Sequence, residues 1–254
     1  MIIPYPDIQV FLDEKVEKYN QQHYFLKDDP IGIPHLFTAK EDIEIIGFIV
    51  ATIAWGKRPM IIKNSNRILE IMGNQPLQYI LHASEEDLND FEFVHRTFNK
   101  TDLQYFVLSL RNLYAKQRSI ESVFAEHQGN MAEKIHHFRK VFFSLPHESR
   151  TTKHVSDPLK NSAAKRLNMY LRWMVRKDQK GVDFGLWKGI SPAELYCPLD
   201  VHTGNVARKL GLIERKANDW KALEELMTHL RKFDPIDPVK YDFALFGLGV
   251  YEGF

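Results

Sequence analysis

Two side chains stand out for the chemistry their neighbours would give them. Lys165 sits in Asp157-Pro-Leu-Lys-Asn-Ser-Ala-Ala-Lys165-Arg-Leu, and Asp200 in Cys197-Pro-Leu-Asp200-Val-His-Thr203. An amine becomes a nucleophile at neutral pH when nearby cations or the positive end of a helix disfavour its charged form. Asn161 and Ser162 are read as preceding the helix that contains Lys165, so the free N–H groups of its first turn would make a phosphate site. Lys160 and Arg166 add positive charge beside it. Asp200 precedes a second helical pattern. A carboxylate there can take the amine's proton or stabilise cationic charge developing on a sugar. An aspartate before a helix is also the usual N-cap, and one carboxylate can do both. Lys165 taken alone reads as an ordinary surface lysine; its pairing with Asp200 and a phosphate-binding helix start suggests catalysis.

The charge around Lys165 is uneven. Residues 150–180 hold nine lysines and arginines and two aspartates, a net +7 in a chain whose formal charge is +1. Such local concentration is the footprint of a polyanion site, although a solvated helix face gives the same count. Lys165, Arg172 and Arg176 are spaced to share one helical face, while Ala164, Leu167, Leu171 and Met174 form an apolar stripe that anchors the helix.

The elements that must position these residues read as helices almost throughout. The 254 residues suit one all-α unit built as two helical lobes around a cleft, with 44% apolar and 26% charged side chains. Helices are predicted from Pro6 to Asn20, Asp42 to Trp55, Pro59 to Met72, Thr101 to Arg118, Ser119 to Ala125, Met131 to Phe143, Ser162 to Lys177, Val201 to Leu210, Asn218 to Lys232 and Pro238 to Leu248. Thr38-Ala-Lys-Glu41 reads as a capping box, and Asp237-Pro238 as a cap followed by proline at the first helical position. The Asp42–Trp55 stretch is apolar on almost every side, as in a buried central helix. Gly181 to Leu195 reads as an ordered irregular loop. No apolar–polar alternation of a sheet is present.

A single cysteine, Cys197, excludes an internal disulfide and any site built on several thiolates. No stretch is long and apolar enough for a membrane span, and Met1-Ile-Ile-Pro-Tyr-Pro-Asp7 lacks a signal-peptide pattern, so a reducing cytoplasm is the expected compartment. No metal and no cofactor is expected; His136 and His137 are adjacent on a helix and face different directions.

The segment Leu199-Asp-Val-His-Thr203, followed by Val-Ala-Arg-Lys-Leu-Gly-Leu212, resembles the Val-Asp-Thr-His stretch of endonuclease III and the other helix-hairpin-helix (HhH-GPD) DNA glycosylases. The whole chain is most similar to the bacterial DUF2400 family, in Asp-Pro-Ile-Gly-Ile-Pro-His35, Ala-Trp-Gly-Lys-Arg58, Lys-Arg-Leu-Asn-Met-Tyr-Leu-Arg-Trp-Met-Val-Arg176, Pro-Leu-Asp-Val-His-Thr203 and Asp-Pro-Val-Lys-Tyr-Asp-Phe-Ala-Leu245.

The glycosylase resemblance implies a hairpin near 150–177 and a catalytic segment at 197–212. Lys165 would be the Schiff-base nucleophile, Asp200 the catalytic carboxylate and damaged duplex DNA the substrate. It assigns nucleic-acid contacts to Lys160, Asn161, Ser162, Arg166, Arg172, Arg176 and His202, and to Trp55, Lys57 and Arg58 after the first core helix. His35, Tyr241 and Asp242 become pocket residues. The sequence departs from that superfamily in three places. Asn161-Ser-Ala-Ala164 stands where the hairpin usually has Gly-hydrophobic-Gly. The Lys165–Asp200 interval is nearer that of the archaeal 8-oxoguanine glycosylases than that of endonuclease III. The four cysteines of an iron–sulfur cluster are absent. Two other readings fit the residues: a non-catalytic helical module that binds nucleic acid through 150–180, and a Schiff-base enzyme acting on a small carbonyl compound.

Overall fold

The computed structural model of the protein describes residues 4–254. It is mostly helical. Its described strands are Val94–His95 and Phe98–Asn99, which pair antiparallel as a hairpin. No helix among the described residues is long and apolar enough to cross a membrane. The chain divides into two compact units. One takes the chain up to Tyr24, Asn130–Ala132 and Asp157–Phe254; the other takes Phe25–Gly129 and Glu133–Ser156.

The first unit carries Lys165 and Asp200. Its first helix, Tyr5–Tyr19, packs on the helix Tyr241–Gly247. Gly247 is required at that crossing, because a Cβ there would overlap the Tyr19 ring. The helix Lys165–Val175 buries Leu167, Tyr170, Leu171, Trp173, Met174 and Val175. Its carbonyls also order the irregular stretch that follows: Phe184 N–H donates to Trp173 O at 2.8 Å and Trp187 N–H to Met174 O at 2.9 Å. This stretch is thus an ordered loop, as its sequence suggests. The helix Trp220–Phe233 starts at Asp219, whose side chain accepts from Ala222 N–H, and buries Leu223, Leu226, Met227 and Leu230.

The second unit is organised around Lys40–Ile53, in which every residue from Ile43 to Ile53 is buried. Its aromatic core stacks Phe48 on Phe106 and sets both against Phe142. Glu44 is tolerated in this core because Tyr114 OH donates to its carboxylate at 2.6 Å and Lys40 Nζ lies 3.8 Å away.

Several expected boundaries shift for identifiable reasons. The helix Lys40–Ile53 has Ala39 at its N-cap with no side-chain bond, so the Thr38 capping box does not form. Asp237 does not cap either; its carboxylate is taken by Arg176. The helix expected from Ser162 begins at Lys165, because Ala164 is left-handed at φ 44°. The final helix breaks into a 3-10 turn at Pro238–Lys240, the helix Tyr241–Gly247 and a π turn at Leu248–Glu252.

Candidate active site

Lys165 is the first residue of its helix, and the turn before it is built from two left-handed residues. Asn161 has φ 62° and Ala164 φ 44°. Asparagine visits this region at modest cost, whereas alanine rarely does. The turn is clamped from outside. Asn161 Nδ2 donates to Asp219 Oδ2 at 3.0 Å, and Trp220 N–H donates to Asn161 O at 3.2 Å. Asp219 is itself gripped by Arg215, whose Nε and Nη2 donate to it at 2.6–2.9 Å. That guanidinium holds the Asp219 carboxyl well below its usual range. Inside the turn, Ser162 Oγ accepts from Ala164 N–H at 3.2 Å. Ser162 therefore lies before the helix and is not part of its first turn. Ala164, at the N-cap, supplies no side-chain cap.

Asp200 faces Lys165 across this turn. One carboxylate oxygen accepts from Thr203 N–H at 2.8 Å and caps the helix Val201–Lys209. The other accepts from Lys165 Nζ at 2.8 Å. The capping and catalytic readings of Asp200 are thus compatible in one geometry. Burial works against the charge of Asp200, but the Lys165 ammonium and the Thr203 N–H outweigh it and hold the carboxyl below its ordinary range. The pair is reachable from solvent: the Lys165 side chain is 38% exposed and that of Asp200 15%. The Asp200 carbonyl is fixed by Asn218 Nδ2 at 2.9 Å, and Asn218 by Arg208 Nη2 at 2.6 Å. Gly204 allows this, since a Cβ there would come within 2.6 Å of Asn218 Oδ1.

The basic stripe expected on the Lys165 helix is not on the surface. Arg172 is 4% exposed and Arg176 3%. Arg172 Nε donates to Asp183 at 3.1 Å and its Nη1 to Asp242. Arg176 donates to Asp178 at 2.7 Å, Asp183 at 3.2 Å and Asp237 at 2.9 Å. Both guanidinium groups lie over the Phe243 ring. Guanidinium forks suit such paired, desolvated positions. The spacing that puts these arginines in register with Lys165 does not distinguish a surface stripe from a buried network; of their four carboxylate partners, Asp178 is two residues from Arg176, Asp183 lies in the irregular loop, and Asp237 and Asp242 are far away in sequence. Arg172 and Arg176 are therefore structural and not available to a polyanion.

The other expected site residues divide by unit. Lys160, Asn161 and His202 are exposed near the pair in sequence, and Arg166 is half-buried, with burial pushing its guanidinium down to about 10. Tyr241 is fully buried and packs against Phe233, so it is a core residue and not a pocket wall. Asp242 is buried against Arg172 and Cys197, with Cys197 Sγ 3.5 Å from its Oδ1. Burial raises Asp242 to about 6 against the pull of Arg172, and Asp200 contributes to the rise. Cys197 is buried, and burial raises its thiol well above the ordinary value, as for an unreactive cysteine. Trp55, Lys57, Arg58 and His35 belong to the other unit. There Trp55 is half-buried with its ring edge-on to His95, Lys57 is exposed, and Arg58 Nε lies 4.0 Å from Asp29. His35 is half-buried in the 3-10 turn Pro34–Leu36.

Sequence reasoning did not pick out Asp183, Asn218, Asp219 or Arg208. Asn218-Asp219 before a helical pattern was a legible cap signal. Asp183 lies in an aperiodic stretch and carried none.

Residues 29–251 match the model of a family described as a protein of unknown function, DUF2400. No curated protein matches the chain, and no solved structure matches it.

Proposed function

The chain belongs to the DUF2400 family, and we propose that it is a DNA base-excision glycosylase with abasic-site lyase activity, in which Lys165 is the nucleophile and Asp200 its proton acceptor. One observation carries the reading: Lys165 Nζ lies 2.8 Å from Asp200 Oδ2 at a half-exposed helix start, across a clamped turn with two left-handed residues. Thirty-five positions separate the two residues in the chain, so the contact is a product of the fold and not of local sequence.

The pair is equipped for imine chemistry. Lys165 passes a proton to Asp200 and its freed lone pair attacks the sugar's anomeric carbon. The N-glycosidic bond breaks and the base leaves with the bonding electrons, taking up a proton. Loss of a second proton from the amine and opening of the sugar ring give a Schiff base. That imine acidifies the adjacent C2′–H, and elimination expels the 3′ phosphate. The damaged nucleotide must leave the stack first, at a cost of a few kcal/mol. The positive end of the Lys165 helix suits a backbone phosphate.

Burial of Arg172 and Arg176 argues against the alternative of a purely binding module, because it removes two of the cations that module would need. The test is borohydride trapping on duplexes carrying 8-oxoguanine or an abasic site. A covalent adduct that is lost in Lys165→Ala is the expected result. No adduct from the wild-type protein on any lesion would sink the lyase mechanism.

A further inference from the structure

The hairpin Val94–Asn99 is closed by a two-residue turn, Arg96-Thr97. Tight antiparallel turns of this length favour glycine or asparagine where the backbone turns left-handed. Arg96 occupies that position with φ 56°. A left-handed arginine is disfavoured by its Cβ, and such conformations persist where the side chain is needed and its surroundings hold it.

The surroundings do hold it. Arg150 Nη2 donates to Thr97 O at 2.7 Å, and Arg150 is fixed in turn by the buried Asp102 at 3.0 Å. His95, beside Arg96, is buried: Asn64 Nδ2 lies 2.7 Å from its Nδ1, and its Nε2 lies 3.1 Å from the Trp55 carbonyl. One neutral tautomer satisfies both contacts, with Nε2 donating and Nδ1 accepting. Burial also lowers the pKa of His95, in keeping with a neutral ring. The imidazole thus ties the hairpin to the loop Ala54–Lys57.

That loop is shaped around the Arg96 side chain. Gly56 has φ 106°, and a Cβ on it would sit 3.2 Å from Arg96 Nη1 and 3.3 Å from Arg96 Cδ. The guanidinium nevertheless makes no ion pair or hydrogen bond among the described residues, and Lys57, exposed on the same loop, has no carboxylate partner there. Two uncompensated cations and the half-buried Trp55 ring therefore share one braced surface of this unit. Phosphate is the chemistry that two such cations recognise, and an aromatic ring beside them suits the adjoining nucleotide.

We propose that Arg96, held left-handed at the tip of the hairpin against Gly56, is a phosphate-contacting residue of a second nucleic-acid surface formed with Lys57 and Trp55. The proposal rests on the nucleic-acid reading of the Lys165–Asp200 site but not on its lyase step.

The experiment uses the full-length chain and a short fluorescein-labelled DNA duplex containing an abasic site, titrated by anisotropy from about 50 to 200 mM salt. Arg96→Ala is expected to weaken binding roughly 3- to 10-fold at the low-salt end. It should also lower the magnitude of the log K against log [salt] slope by about 1. Arg96→Gly should weaken binding equally while its melting temperature holds or rises, because the left-handed position is then unstrained. Affinity and slope unchanged in both variants overturn the proposal and leave the glycosylase reading standing. A melting temperature that falls in both variants, with binding lost in proportion, assigns Arg96 a purely structural role and also overturns it. Failure of the wild-type chain to bind the duplex overturns both readings. Arg96-dependent binding without a borohydride adduct removes the lyase step and keeps the surface.

Discussion

Asp200 does two jobs with its two carboxylate oxygens, and substitution can separate them. Asparagine caps helices about as well as aspartate, whereas alanine does not. Asp200→Asn should therefore keep the Thr203 N–H bond and melt within about 1 °C of the wild type. Asp200→Ala should lose about 1 kcal/mol, which is roughly 2–4 °C for a chain of this size. Both remove the proton acceptor for Lys165, and single-turnover base release should fall by about 10² or more in each. Full activity in Asp200→Asn would leave the carboxylate with a capping role only. Two buried aspartates carry opposite pH signatures. Asp102 loses solvation on burial, but His154, Asn99 N–H and Thr151 more than compensate and bring it down to about 2. Its contribution is complete above the unfolded value near 4 and is lost as pH falls through about 2. Asp242 is raised by burial to about 6. Its protonated form is the favoured one in the fold, so its contribution is present below about 4 and lost as pH rises through about 6. Urea denaturation of Asp242→Asn between pH 4 and 7 should show that decline abolished. An unchanged profile would mean the buried carboxyl ionises as easily in the fold as in the unfolded chain.

Elements set the reach of Lys165 as much as its own rotamer does. Its helix starts where it does because Ala164 is left-handed, which costs an alanine roughly 1 kcal/mol. Ala164→Gly relieves that strain and gives up only a methyl group. The variant should melt a few degrees higher while Lys165 still reaches Asp200. A lower melting temperature would mean the buried methyl matters more than the backbone strain. This turn also marks where the sequence stops being informative. The apolar spacing of Leu167, Leu171 and Met174 gave the helix and its buried face, and Asp200 before Val201 gave the second helix and its cap. The hairpin at Val94–Asn99 was not legible, because strands of two residues carry no alternation to detect. The sequence reads as helical from Ser162, because alanine at a left-handed position contradicts local propensity, and the turn that contains it is held at Asn161 by Asp219 and Trp220 from elsewhere in the chain. The missed burial of Arg172 and Arg176 has the same origin: periodicity reports which residues share a face, and only the positions of Asp183, Asp237 and Asp242 show that the face turns inward.

Charge is the property that changes most when the molecule is taken as a whole. The nine basic residues of 150–180 look like one cationic field in the sequence, yet most are already neutralised by partners. Arg150 pairs with Asp102, Lys165 with Asp200, Arg172 and Arg176 with the buried aspartates, and Lys180 with Glu17. Lys160 and Lys177 in the first unit are exposed and without a carboxylate partner among the described residues, as are Lys57, Arg96 and Lys153 in the second. Counterion release counts only the cations that meet phosphate, at about 0.9 per contact on duplex DNA. Five such contacts, if every one of these cations met phosphate, would give a slope of log K against log [salt] near −4 to −5. The full basic stretch acting together with Lys57 and Arg96 would approach about −10. A measured slope steeper than about −8 would mean that further cations meet phosphate, either exposed lysines elsewhere such as Lys116, Lys209 and Lys216 or the buried arginines after leaving their aspartates. Leaving Asp183 and Asp242 unpaired in the core would cost several kcal/mol, so the shallow slope is the expected one.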